Sequence, residues 1–201
     1  MTEGARSPLL SGHYCTIIYI MKKLLLHSCC APCSTTAFAR LAADYNITLY
    51  YYNPNIDTVI EHERRHAELT KLRDLNIPFN IISEPYSPDD YNAAVKGLEH
   101  LGEGSVRCYE CYRLRLRKTA QYAVAHNFDA FTTTLSVSPY KNTQWIDEIG
   151  ESLTKEHNIP YLALDLKKQN GYRQSIETSK KLNLYRQTYC GCRYSRAFSR
   201  K

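Results

Sequence analysis

The sequence predicts one α/β domain: a parallel sheet covered by helices on both faces, with a cysteine-containing C-terminal tail. Three observations carry that prediction. Short apolar or β-branched runs of strand length alternate with longer segments of helical periodicity. Few hairpin signals lie between them, so consecutive strands cross over rather than fold back. The 201 residues, 43% hydrophobic and 23% charged, suffice for one sizeable core and not comfortably for two.

Residues 1–20 carry Gly, Ser and Pro with little periodicity. They read as an appendage expected to be poorly ordered, or as the product of a start codon assigned too early, leaving 21–201 as the domain. Lys22–His27 (KKLLLH) is the first strand, followed by a turn with Pro32. Ser34 is the candidate cap of a helix over Ser34–Tyr45, with Phe38, Leu41 and Ala42 on one face. Ile47–Tyr52 (ITLYYY) is a β-branched and aromatic strand, stopped by Asn53-Pro54-Asn55. Asp57 caps a charged helix to about Leu75, and Phe79–Ser83 (FNIIS) is the third strand. Pro88 and Asp89 open a helix to about Leu101, ahead of a loop at Gly102–Ser105. A long basic helix runs from Arg107 or Cys108 to about His126, and a fourth strand covers Asp129–Leu135 (DAFTTTL). A helix over Thr143–His157, a fifth strand over Tyr161–Leu166 and a helix over Ser175–Leu182 complete the domain before a basic, tyrosine-rich tail. Neither an internal repeat nor a low-complexity segment is present.

Composition removes several classes. No apolar run reaches the roughly 18 residues of a membrane span. A signal peptide is not expected either, because Ile17–Ile20 is too short and Lys22 and Lys23 follow it. The 26 basic residues exceed the 20 acidic ones by 6, which favours a polyanionic partner. Seventeen tyrosines stand against 5 Phe and 1 Trp, and a flat ring with a hydroxyl suits a wet, base-stacking surface.

The eight cysteines lie at 15, 29, 30, 33, 108, 111, 190 and 192. All but Cys15, which receives no function, fall into three tight groups. A disulfide-stapled secreted domain would be shorter and would spread them, so a reducing, cytoplasmic compartment is expected, with grouped thiols serving metal or redox chemistry.

The first group, His27-Ser28-Cys29-Cys30-Ala31-Pro32-Cys33, directly follows the first strand, where parallel sheets bind ligands. Thiols fill a loop that in a nucleotide-binding protein would hold glycine and serine, and residues 24–36 contain no glycine, which argues against ATP. Small buried cysteines also pack like alanine, but three in five residues at a ligand-binding edge point to chemistry. The second group is Cys108-Tyr109-Glu110-Cys111 at a helix start, where the dipole lowers thiol pKa values toward the thiolate a soft metal needs. Adjacent Cys29 and Cys30 make a poor zinc knuckle, since neighbouring side chains of an extended segment point apart. A 4Fe-4S cluster on Cys29, Cys30, Cys108 and Cys111 is therefore favoured over zinc, which stays open on spacing alone. The third group, Cys190-Gly191-Cys192, suits a strained and readily reduced disulfide, with a second metal site or incidental thiols as the alternatives. Arg107–Lys118 carries five positive charges against one Glu, and Arg186–Lys201 five against none. With Tyr109, Tyr112, Tyr185, Tyr189 and Tyr194 interleaved, these segments suggest an RNA surface, although a basic helix alone is more often just solvated.

The stretches LLLHSCCAPCS (24–34), YYNPNID (51–57) with Glu61 and Arg64, RCYECYRLRL (107–116), TTTLSVSPYKN (132–142), DLKKQNGYRQSIETSK (165–180) and LYRQTYCGC (184–192) resemble the QueH-type, cobalamin-independent epoxyqueuosine reductases. The resemblance covers essentially Met21 to Tyr194. It implies a HUP/Rossmann-like fold and removal of the epoxide oxygen from epoxyqueuosine at the wobble position of a tRNA anticodon loop, the last step of queuosine formation. It also implies 4Fe-4S ligands at Cys29, Cys30, Cys108 and Cys111, a redox-active disulfide at Cys190 and Cys192, and an external electron donor. One additional iron is a further expectation, with Cys33 either its ligand or a spectator. Asn53, Asn55, Tyr140 and Lys141 fall on loops at the same sheet edge and are candidates to hold substrate. The alternatives are an iron-sulfur tRNA sulfur-transfer enzyme, which lacks its ATP loop here, a zinc-stabilised RNA-binding module, and a thioredoxin-like use of Cys30 and Cys33, which leaves the other cysteines unexplained.

Overall fold

The structure, a computed structural model, describes residues 21–198, with side chains to Ser195. Residues 1–20, and with them Cys15, lie outside the described residues. Four parallel strands form the sheet: β1 (Lys22–His27), β2 (Tyr45–Tyr51), β3 (Phe79–Ser83) and β4 (Ala130–Thr133), in the order β3-β2-β1-β4. Six helices accompany them among the described residues: α1 (Ala31–Leu41), α2 (Val59–Glu68), α3 (Pro88–Ala94), α4 (Val106–Ala125), α5 (Thr143–His157) and α6 (Gly171–Lys181).

The three leucines of β1 explain the layering. Leu24 and Leu26 point to one face, into a core with Phe38, Leu41, Ile47 and Leu49 against which Tyr172 and Leu182 pack. Leu25 points to the other, with Leu116, Phe131, Ile146 and Leu153. A strand buried on both sides needs no alternation, which is why it reads as an unbroken apolar run. The chain steps from β1 outward through β2 to β3, then returns to the other side of β1 for β4. Strand order therefore reverses at β1, and the loops after β1, β2 and β4 meet at one edge. They are knitted there by Ser28 N donating to Tyr50 O (2.9 Å) and Thr134 N donating to His27 O (2.9 Å).

Several expectations shift. The first helix begins at Ala31, with Cys30 at its cap position and Pro32 in its first turn, where the missing N–H costs nothing. Ser34, expected as the cap, lies inside the helix, its Oγ donating to Cys30 O (3.1 Å). The charged helix after Asp57 is capped by Thr58 and gives way at Leu69 to a 3-10 turn, Leu69–Leu75, which brings Leu69 and Leu72 into the core at a three-residue pitch. The helix opened by Pro88 ends at Ala94, well short of Leu101. The expected fifth strand is absent. Tyr161 makes only an isolated bridge to Phe131, because β4 is four residues long before the chain turns into Leu135–Val137. The hydroxyls of Thr132 and Ser136 then donate to Leu162 O (2.7 Å) and Leu164 O (2.6 Å) in place of a backbone ladder.

Candidate active site

β1 delivers Cys29 and Cys30 to the carboxyl edge, and α1 brings Cys33 round on its first turn. Cys29 Sγ and Cys30 Sγ lie 3.8 Å apart, and all three sulfurs fall within 4.8 Å of one another. The neighbouring side chains thus converge instead of pointing apart, because the chain leaves its extended conformation at Cys30 (φ −174°) and coils at once into the helix. Thr134 fixes the group from β4's loop: its Oγ1 accepts from Cys29 N (3.0 Å) and donates to Cys29 Sγ (3.2 Å). The Cys29 thiol is held well below its ordinary value by hydrogen bonds from Cys30 and Cys33. Those partners are pushed the other way, first by their bonds to Cys29, with Cys30 up to about 11.

Cys108 and Cys111 project from the first turns of α4 toward Cys190 and Cys192. Contrary to the expected effect of the helix end, burial raises both Cys108 and Cys111, the latter to about 11. The tail is held in place by α2 and the loop before it. Arg65, ion-paired to Glu61 (2.6 Å), donates to Cys190 O (3.0 Å) and Tyr189 O (3.4 Å). Asp57 N donates to Gly191 O (2.9 Å), and Tyr189 OH donates to Asp57 Oδ1 (2.9 Å). Gly191 needs its missing side chain: φ is +108°, and a Cβ would stand 3.0 Å from Ile56 and 3.1 Å from Arg65. Cys190 Sγ meets Ser195 Oγ at 3.0 Å and is only partly buried. Cys192 is 3% exposed, with its Sγ 2.8 Å from Arg107 Nη1 and 2.9 Å from Tyr91 OH. The Cys190 thiol is held below its ordinary value by the hydrogen bond from Cys192, which is itself raised in return.

The thiols line two cavities. One, of about 630 Å³, is bounded by Cys29, Cys30, Cys33, Arg186, Gln187 and Tyr140 among others. The other, of about 370 Å³, is bounded by Asn55, Tyr91, Arg107, Cys108, Cys111 and Cys192. Arg115, Lys141 and Cys190 belong to both walls. The sites expected from sequence are therefore gathered at one edge in two thiol groups, with Cys190 between them. Among the substrate-holding candidates, Lys141 and Tyr140 reach the first cavity and Asn55 the second, whereas Asn53 is structural. It accepts from Arg115 Nη2 and donates to Ser28 O (2.9 Å).

Sequence reasoning missed the buried polar frame behind these groups. His27, fully buried, bonds Thr133 Oγ1 (2.8 Å) and accepts from Arg115 Nε (3.3 Å). Burial, then Arg115, pushes its imidazole down to about 3, so it is neutral. Arg115 was legible only as the residue four beyond Cys111, hence on the same helix face. Arg107 and Tyr91 left no such signal.

The basic helix is not the uniform RNA-facing surface its charge suggests. Arg107 and Arg115 are 1% and 3% exposed, while Arg113 and Arg117 pair with Glu110 and Glu156. The tyrosines are similarly engaged: Tyr50, Tyr51 and Tyr52 are buried, Tyr185 lies under Arg64 at 3.5 Å, and Tyr194 under Arg107 at 4.8 Å. No helix among the described residues is long and apolar enough to cross a membrane.

The donor set suits a soft, positively charged metal group. It offers two groups of thiols, with Glu103 the carboxylate at the wall of the second, and two buried acceptors lack partners, Asn55 Oδ1 beside the second group and Gln187 Oε1 beside the first. Comparison with known proteins identifies a family. Residues 24–197 match the family described as QueH, epoxyqueuosine reductase QueH. The epoxyqueuosine reductase QueH of Streptococcus pyogenes serotype M1 is 40% identical over 182 residues, covering 88% of this chain and 71% of that protein. Those of Staphylococcus epidermidis and Thermotoga maritima are 39% and 35% identical, covering 85% and 87% of this chain and 74% and 91% of those proteins.

Proposed function

This chain belongs to the epoxyqueuosine reductase QueH family, an oxidoreductase family, and we propose that it removes the epoxide oxygen of epoxyqueuosine in the anticodon loop of tRNA with a 4Fe-4S cluster and the Cys190/Cys192 pair. The observation that carries the reading is the meeting of two thiol groups across Cys190 at the carboxyl edge of the sheet. Cys29, Cys30, Cys108 and Cys111 would hold the cluster, and Cys33 is the remaining thiol available to one additional iron. Bound there, such a cluster supplies electrons one at a time from a thiolate-ligated centre.

The chain's own residues account for the rest. Converting an epoxide to an alkene and water takes two electrons and two protons. Closing a disulfide between Cys190 and Cys192 releases two electrons, which matches that demand. Lys141, a cation shared by both cavities and acting on Cys29 and Cys190, is suited to receive the oxygen as its C–O bond breaks and to donate a proton from Nζ. Arg115, locked to His27 and Asn53, keeps a fixed positive charge beside the sulfurs of both cavities. Tyr140 and Arg186, at the wall of the larger cavity, offer a ring face and a guanidinium to a base and its phosphate.

Anaerobically purified protein is expected to be brown and to contain iron and sulfide. Serine at any of the four ligand positions should remove most of both, since a hydroxyl is a poor ligand for iron. Serine at Cys190 or Cys192 should leave iron intact and abolish turnover of epoxyqueuosine-containing tRNA. Full iron and sulfide in two of the four ligand variants would refute the ligand set.

A further inference from the structure

The two cysteines of the tail are in unlike surroundings. Cys190 lines both cavities and is only partly buried. Cys192 touches the smaller cavity alone, at 3% exposure. Its sulfur is met by two hydrogen-bonding groups that also meet each other: Arg107 Nη1 at 2.8 Å and Tyr91 OH at 2.9 Å, with Arg107 Nη1 to Tyr91 OH at 3.2 Å. Arg107 is 1% exposed and forms no ion pair with a carboxylate among the described residues. Its Nε donates to Leu101 O (3.0 Å), which anchors the guanidinium without neutralising it. The guanidinium therefore stands as a fixed positive charge in direct contact with the Cys192 sulfur, placed to stabilise a thiolate there. Ser195, the neighbour of Cys190 Sγ at 3.0 Å, is neutral.

Resting on the redox-pair reading above, we propose that the pair works in one direction: Cys190 is the sulfur that exchanges with an incoming thiol reductant, and Cys192 is the sulfur that leaves, its charge received by Arg107 and Tyr91. After a turnover the pair is a disulfide. A thiolate of the reductant attacks Cys190 Sγ, the Cys190–Cys192 S–S bond breaks, and Cys192 departs as a thiolate with the bonding electrons. A second thiol of the reductant then attacks its own sulfur in the mixed disulfide and releases Cys190. The sum is one protein disulfide plus two thiols giving one protein dithiol plus one external disulfide. Attack in the opposite sense would need a nucleophile to reach the buried sulfur of Cys192, past the Arg107 and Tyr91 groups that already contact it. Tyr91 and Arg107 are thus positioning residues for the leaving sulfur, and exchange is faster when the leaving thiolate is stabilised.

The test uses the full, iron-loaded chain. In Cys192→Ser protein, Cys190 should be captured by glutathione disulfide and by iodoacetamide, whereas in Cys190→Ser protein Cys192 should react at least about tenfold more slowly. Peptide mass spectrometry locates the adduct. Tyr91→Phe, which keeps ring and packing, should retain its iron and slow reduction of the Cys190–Cys192 disulfide by dithiothreitol by about tenfold. Arg107→Met should slow it further and Arg107→Lys should restore part of the loss. Capture at Cys192, or an unchanged reduction rate in Tyr91→Phe, would overturn the assignment while leaving the pair as electron source. Absence of any Cys190–Cys192 disulfide after a turnover would remove the pair itself, and the assignment with it.

Discussion

Arg115 holds a full positive charge at 3% exposure, and no carboxylate among the described residues pairs with it. Its donors go to His27 and Asn53, and Asn53 passes the constraint on to Ser28 O, one residue before Cys29. One guanidinium thereby sets the backbone from which the first thiol group hangs. Arg115→Met should destabilise the protein by about 2–4 kcal/mol in a denaturant titration, through stranded buried acceptors and lost packing. Arg117→Glu, only two residues along, alters a partly exposed side chain whose pairing to Glu156 is long (3.5 Å), and should change stability by no more than about 1 kcal/mol. Sequence alone could not rank the two. Both are arginines in a basic helix, and only the fold decides which one turns inward.

The helix α2 acts less as a core element than as a clamp. Among its residues only His62 and Arg65 are buried, and its polar face takes the tail through Glu61, Arg64 and Arg65. The tail owes its position to these contacts and to the hydrogen bond from Asp57 N to Gly191 O. Arg65→Met should therefore loosen the tail before it unfolds the domain. Trypsin cleavage at the exposed Arg193 is expected to accelerate about tenfold, with cleavage in α4 and α5 little changed, because local opening and global unfolding have separate free energies. The element pattern itself was largely readable: Lys22–His27, Phe79–Ser83 and Thr143–His157 come out with the expected bounds, since each combines a clear period with flanking turn or cap residues. Errors fall where tertiary contacts override local signals. Cys30 rather than Ser34 caps α1, and side-chain hydroxyls replace the strand expected at Tyr161–Leu166.

Taken as a whole, the molecule folds around imidazoles that remain neutral. His62 packs at a tilt between Tyr51 (4.9 Å) and Tyr86 (4.8 Å), and burial, with His66 and Arg65 adding to it, lowers its pKa from 6.5 to about 4. Such a group binds fewer protons folded than unfolded. Its stabilising effect is complete above pH about 6.5 and is lost as pH falls toward about 4, by at most about 3 kcal/mol and less for a ring near solvent. Melting temperatures of the wild type should drop across that window, and His62→Gln should flatten the drop. An equally steep fall in the variant would assign acid sensitivity elsewhere. The candidate site was legible at the same scale as the fold: the grouping of the cysteines marked the thiols that gather at one sheet edge, but the way Cys29, Cys30 and Cys33 converge, and the arginines behind them, depend on distant segments no local pattern records. The segment beside β4 has a consequence for life at high concentration. By spending its carbonyls on Thr132 and Ser136, the stretch from Pro160 to Leu164 hems that margin of the sheet, so a second molecule finds no free row of β4 amides to recruit. Among the described residues β3 alone, five residues long and carrying Asn80 and Ser83, is left as an open selvage, a poor template for the edge-to-edge growth that ends in aggregates.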